Sequence, residues 1–167
     1  MNEDMQDYFV HCITENKADF YRLAFSYVKS EADALDIIQD SIQKALISLH
    51  TVKNKDSLKS WFYKIVVRTS IDSLRKKKKV IVMNQDKLFH LNGLVEDKYE
   101  NIDLKIQLEK LPIKYKTVII LRYFEDLSLE EISYIINRNL STTKTRLYKA
   151  IKLLRQNLKE GELNKHE

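Results

Sequence analysis

This 167-residue chain has little of what strands, disulfides, metal sites or membrane spans are made from. Two glycines and one proline are too few for the tight turns that join strands. Abundant Leu, Ile, Lys and Glu at helical spacing then make an all-α fold the expectation. A lone Cys12 excludes an internal disulfide and reads as a small, reduced side chain. The histidines His11, His50, His90 and His166 are too scattered for two to share a helical turn as ligands, so no metal or other cofactor is expected. There is no glycine-rich phosphate loop, no nucleophile elbow and no carboxylate pair in an apolar setting, which leaves nothing to support an enzyme or a small-molecule ligand. Met1 to Asp7 is acidic and lacks the charged and apolar regions of a secretory signal, and no apolar run approaches membrane-spanning length. A cytoplasmic protein is expected.

What the chain does have is charge in blocks. The net charge of +5 is modest, but residues 57–79 carry eight basic residues and one acidic, and residues 104–167 carry thirteen and eight. Residues 1–56 hold six basic and ten acidic residues, and residues 80–103 hold two and five. Two basic blocks separated by an acidic stretch suggest a nucleic-acid partner. Helical periodicity fades after Lys79 into Asn84-Gln-Asp86 and Leu91-Asn-Gly-Leu94. The expected organisation is therefore a helical domain over 1–79, a linker over 80–103 and a second helical domain over 104–167. The linker's apolar residues, among them Val80, Ile81, Leu88 and Phe89, suggest that it packs on something part of the time.

The most telling segment runs from Asp126 to Ala150. Leu129, Ile132, Ile135 and Ile136 form the apolar stripe of one short helix, with Ser128 placed to cap it and Glu130 and Glu131 suited to its positive end. Asn137 and Asn139 tolerate turn conformations, and Asn139 or Ser141 can cap the next helix. In that helix Thr143, Leu147, Ala150, Ile151 and Leu154 share a face that must be buried. On the opposite side lie Thr145, Tyr148, Lys149 and Lys152, with Lys144 and Arg146 at the flanks and Thr142 at the start, positioned to reach bases and phosphates from a major groove. The pattern is a helix-turn-helix, although two amphipathic helices joined by a turn also occur in helical proteins that never touch DNA.

Residues 57–79 form a second candidate surface. Leu58, Trp61, Phe62, Ile65 and Thr69 share one face, and Val67, Ile71 and Leu74 make a further apolar patch, with Asp56 or Ser57 able to cap the start. Lys64, Arg68, Arg75 and Lys79 line a neighbouring face, with Lys76 in the same basic run. This is either a backbone-binding stripe or a solvated helix end whose lysines complement the dipole. Upstream, Ala34, Leu35, Ile38, Ile42, Ala45 and Leu49 fall at helical spacing and leave Asp36, Gln39, Asp40 and Gln43 outside. An earlier helix over about 18–29 adds Phe20, Leu23, Ala24, Tyr27 and Val28 to the same core.

In their order these segments resemble a known family. Leu111-Pro112, then Leu121-Arg-Tyr-Phe124, Leu127-Ser-Leu-Glu-Glu-Ile132 and Thr142-Thr-Lys-Thr-Arg-Leu-Tyr-Lys-Ala150 are similar to region 4 of bacterial sigma factors. Trp61-Phe-Tyr-Lys-Ile65, Ile71-Asp72 and Arg75-Lys-Lys77 resemble regions 2.3 and 2.4 of the small extracytoplasmic-function (ECF) sigma factors, and Asp36, Gln39 and Asp40 match region 2.2. The resemblance covers about residues 15–79 and 104–158. Ser133 replaces the usual Ala, Asn137 the usual Gly, Thr143 the usual Val, Asp40 the usual Glu, and Arg68 a common Asn. Thr143 then has a hydroxyl to place, best on the carbonyl one turn back. Arg68 is expected to stack on a base or bind phosphate rather than make the usual contact.

The resemblance implies a protein that binds core RNA polymerase and directs promoter-specific initiation. Asp36, Gln39, Asp40 and Gln43 would dock on the β′ clamp helices, and the second domain would meet the β flap. Lys64, Arg68, Arg75, Lys76 and Lys79, with the loop at about 51–60, would open the minus-10 element, and the helix-turn-helix would read the minus-35 element. It also implies an anti-sigma factor, often membrane-anchored, as a partner. The acidic linker, with Asp86, Glu96, Asp97 and Glu100, is expected to suit a basic channel toward the RNA path. Two alternatives stay open: a helix-turn-helix regulator that acts without being a sigma subunit, and a helical adaptor that binds only protein.

Overall fold

In a computed structural model of the chain, the described residues are 3–83 and 102–164. They fall into two compact units, one on either side of a division at Leu94. No described helix is long and apolar enough to cross a membrane, and the described regular structure is helical throughout.

Unit 1 contains α1 (Glu3–Val28), α2 (Glu31–Ser48) and α3 (Leu58–Met83). All three pack on one another around an aromatic cluster. Phe62 and Tyr63 are fully buried, Phe20 meets both edge-on at 4.7 and 4.8 Å, and Phe9 meets Phe62 at 5.6 Å. Each such side chain contributes about 1.5–3 kcal/mol by leaving water, and edge-to-face contacts add to it. The core face of α3 therefore runs through Phe62, Tyr63, Val66, Val67, Thr69 and Ser70, between the two apolar patches read from periodicity.

Several expectations change here. The first helix begins well before residue 18, at Glu3, because Phe9 anchors its first half on Trp61 and Phe62 and the chain merely kinks at Asn16 (φ −114°, ψ 15°). On α2 the buried positions are Ala34, Ile37, Ser41 and Ala45, while Leu35 is 49% exposed. Ile37 lies beside the face expected from sequence, because α2 packs against both α1 and α3 and its buried arc is set by two neighbours. Ser41 is fully buried, and its hydroxyl has no hydrogen-bond partner among the described residues. Asn54 caps the turn Lys55–Ser57 that leads into α3, accepting from the Asp56 N–H at 3.0 Å.

Helix α3 also runs past Lys79, with Val80 and Ile81 exposed on it, so the first residues of the expected linker are helical. The linker's last two residues, Ile102 and Asp103, begin the next helix, while residues 84–101, including Asp86, Glu96, Asp97 and Glu100, lie outside the described residues.

Unit 2 contains α4 (Ile102–Glu109), α5 (Ile113–Ile119), α6 (Leu129–Ile136) and α7 (Leu140–Leu163). Helix α5 passes directly into a π-helical turn, Ile120–Phe124. The wider turn is followed by Asp126 in the left-handed region (φ 52°), and Arg122 closes the reversal by donating to the Leu127 carbonyl at 2.8 Å. Val118, Leu121, Ile132, Ile135, Leu147 and Ala150 fill the core.

Candidate nucleic-acid interface

The helix-turn-helix is specified locally. Ser128 accepts from the Glu131 N–H at 3.1 Å while the Glu131 carboxylate accepts from the Ser128 N–H at 2.8 Å, a reciprocal capping box that fixes where α6 begins. Asn137 then ends α6 at φ 54° and ψ 52°. This left-handed conformation is why Asn serves where the resemblance has Gly, since Asn is among the few side chains that adopt it readily. Two residues on, Asn139 caps α7 by accepting from the Thr142 N–H at 2.7 Å. Of the two caps that the sequence left open, Asn139 is the one used.

Ser133 and Thr143 meet in the same crevice. The Thr143 hydroxyl donates to the Asn139 carbonyl at 2.9 Å, one turn back, and the Ser133 hydroxyl lies 2.9 Å from Thr143 Oγ1 and 2.8 Å from the Leu129 carbonyl. Two departures from the family pattern thus form one polar contact, and both hydroxyls in the α6–α7 packing are satisfied.

With Thr143, Leu147 and Ala150 turned inward, α7 presents Thr142, Lys144, Thr145, Tyr148, Lys149 and Lys152 to solvent, with Arg146 half-buried. Tyr148 is 72% exposed, so the face carries one large aromatic ring among its cations. Beside it lies a depression of about 240 Å3. Lys114 and Tyr115 of α5 form one wall, and Ser141, Thr142, Thr145, Arg146 and Lys149 form the other. Sequence reading misses Lys114 and Tyr115 because nothing in their local pattern shows that α5 abuts the start of α7.

In unit 1, Arg68, Arg75, Lys76 and Lys79 are exposed and Lys64 is half-buried. Burial pushes the Lys64 ammonium below its usual pKa, and the neighbouring Arg68 charge pushes it the same way. Two further cations of the run are engaged: Lys77 pairs with Asp33 of α2, and Lys59 lies 3.8 Å from Asp19. The segment before α3 adds Lys53 and Lys55, which sequence reading does not single out. Lys55 donates to the Tyr8 hydroxyl at 3.1 Å and sits 4.4 Å from its ring centroid, which holds this turn against α1; the hydrogen bond raises the lysine pKa. Trp61 is half-buried and packs edge-on against Phe9, a core role.

On α2, Asp36, Gln39, Asp40 and Gln43 are all exposed, joined by Leu35, Leu46 and the 77% exposed Ile47. That face is more apolar than its sequence spacing suggested. Burial raises the Cys12 thiol pKa, partly offset by Lys59. Among the described residues no cluster of His, Cys, Asp and Glu could hold a metal ion.

Comparison with known proteins covers both units. Residues 12–80 match the Sigma-70 region 2 family and residues 105–154 match Sigma-70, region 4. RNA polymerase sigma factor SigV of Bacillus subtilis (strain 168) is 57% identical over 155 residues, covering 93% of each chain. The ECF RNA polymerase sigma factor SigW of the same organism is 30% identical over 170 residues, 93% of this chain and 91% of that one. Among solved structures, the sigma factor RpoE in complex with the anti-sigma factor NepR from Bartonella quintana has a TM-score of 0.71 at 23% identity, over 90% of this chain and 96% of that chain. CnrH in complex with the cytosolic domain of CnrY has a TM-score of 0.66 at 17% identity, over 91% and 88%. Those two likenesses show a shared fold. Because the relationship to SigV and SigW extends through both units, the chain belongs to the sigma-70 family of RNA polymerase sigma factors, in the ECF group.

Proposed function

We propose that this chain directs promoter-specific initiation by dividing the promoter between its two units while α2 holds core RNA polymerase. Asp36, Gln39, Asp40 and Gln43, flanked by Leu35, Leu46 and Ile47, dock on the β′ clamp helices, and unit 2 meets the β flap. Thr142, Lys144, Thr145, Arg146, Tyr148, Lys149 and Lys152 face the minus-35 duplex. Lys64, Arg68, Arg75, Lys76 and Lys79 hold the opened minus-10 element, where stacking and basic side chains suit unpaired bases. Two weak contacts on one promoter raise each other's effective concentration, so neither unit needs high affinity alone.

The observation that carries this reading is the coexistence, in one chain, of an exposed cationic face on a capped helix-turn-helix and a second exposed cationic stripe on α3 of a separate unit. A regulator acting without polymerase would use the first and leave the second unexplained. RpoE and CnrH were each solved bound to a partner, the anti-sigma factor NepR and the cytosolic domain of CnrY. An anti-sigma factor is accordingly proposed for this chain too, covering its polymerase-docking face; its own membrane anchorage is compatible with a cytoplasmic sigma factor.

The test adds the purified chain to core RNA polymerase on a promoter library. Specific transcripts that need both components are expected, and they should be lost when Asp36→Lys and Asp40→Lys are combined. Specific operator binding without polymerase, with no core-dependent transcripts, would instead establish the regulator.

A further inference from the structure

Helix α5 places its two central lysines in opposite situations. Lys116 is buried, and its ammonium is taken up by the Glu109 carboxylate at 2.8 Å. Lys114, two residues earlier, is exposed and lines the depression beside α7 with Arg146 and Lys149. Its ammonium lies 4.9 Å from the Tyr115 ring centroid, a contact that orients the side chain without cancelling its charge. No carboxylate lines the depression, and none of these three cations has an ion-pair partner among the described residues. The rest of the lining supplies hydroxyls. Thr145 donates its own to the Ser141 carbonyl at 3.0 Å, while the hydroxyls of Ser141 and Thr142 have no partner among the described residues.

Three unneutralised cations and two available hydroxyl donors around one depression are chemistry for a phosphate oxygen. At about 240 Å3 the space suits a phosphate group with several waters, each needing about 30 Å3. Its position narrows the source. A major groove is about 12 Å wide and walled by the two phosphate backbones, so a helix lying in it needs contacts at its flanks to hold its register. Lys114 stands at such a flank, on a helix outside the helix-turn-helix. We propose that Lys114, with Arg146 and Lys149, clamps one backbone phosphate of the duplex that α7 reads, making α5 a sequence-blind wall of the DNA site. This rests on the DNA-facing reading of α7.

The experiment measures binding of holoenzyme, full-length chain plus core polymerase, to promoter duplexes selected by the wild type, across a salt series. Lys114→Ala should weaken binding about tenfold, the size of one charge-assisted hydrogen bond. The loss should be equal on all minus-35 variants, and the slope of log affinity against log salt should fall by about 0.9, as for one lost phosphate contact. Lys159→Ala removes the same charge from an exposed site near the far end of α7 and serves as the net-charge control, which should leave the slope unchanged.

A wild type that fails to bind any promoter duplex would overturn the DNA reading itself. Normal wild-type binding with an unchanged slope in Lys114→Ala would overturn only the clamp, as would a loss confined to particular bases or an equal change of slope in Lys159→Ala. Inorganic phosphate at constant ionic strength separates the remaining source. If it binds the wild type but not Lys114→Ala and yet leaves the duplex affinity of the wild type unchanged, the depression takes a free anion and the backbone clamp is wrong.

Discussion

The two cationic faces differ in what surrounds their charges. On α7 every cation of the outer face lacks a carboxylate partner among the described residues, whereas on α3 the exposed Arg68, Arg75, Lys76 and Lys79 stand beside the half-buried Lys64 and among engaged neighbours, Lys77 paired with Asp33 and Lys59 near Asp19. A duplex offers a regular array of phosphates, which free surface cations suit. An opened strand offers unstacked bases as well as phosphates, which suits exposed cations set beside a partly desolvated one. The same contrast runs through the interiors. Unit 2 satisfies the hydroxyls of Ser133 and Thr143, while unit 1 leaves that of Ser41 without a partner among the described residues.

The largest test of this contrast removes the centre of unit 1. Phe62→Ala should cost about 3–5 kcal/mol, as for other fully buried aromatics. Urea unfolding followed by segment-specific hydrogen exchange should show unit 1 destabilised and unit 2 unmoved; equal destabilisation of both would mean that the units do not fold separately. Next in size, Asn139→Ala removes the cap of α7 and should cost unit 2 about 1 kcal/mol, read as faster exchange in the first turn of α7.

The buried hydroxyls should respond with opposite signs. Ser41→Ala removes an unsatisfied group and should leave unit 1 as stable or more stable, by up to about 1 kcal/mol. Ser133→Ala and Thr143→Val should each lower the stability of unit 2 by about 0.5–1.5 kcal/mol. The double variant should lose less than the sum, which a double-mutant cycle measures; strict additivity would show that the contact between them contributes nothing.

The smallest effect is a pH dependence. The folded pKa of Lys64 lies below its ordinary 10.5, so between the two values the unfolded chain binds more protons. Unit 1 should therefore gain stability as pH rises from the lowered folded value toward the ordinary one, while below that window the penalty for charging Lys64 stays constant. Comparing denaturation of the wild type with Lys64→Met across alkaline pH isolates this increment, and parallel curves would remove Lys64 from the contrast.

Legibility follows the range of the interactions. The capping residues Ser128 and Asn139, the turn at Asn137 and the outer face of α7 are readable because each depends on neighbours within about one helical turn. Sequence spacing misplaces the buried arc of α2 at Leu35 and Ile37 and does not reveal the first half of α1 as helix, because both depend on helices distant in sequence.

The sequence by itself determined the all-helical class, the two basic blocks, the helix-turn-helix and the family resemblance, since composition, periodicity and caps are local properties. Only the tertiary structure decided which cations remain free, that Ser133 meets Thr143, and that Lys114 of α5 stands beside Arg146 and Lys149. Those outcomes depend on which helices pack together, and packing is set by shape and burial summed over the whole unit rather than by any short stretch of chain.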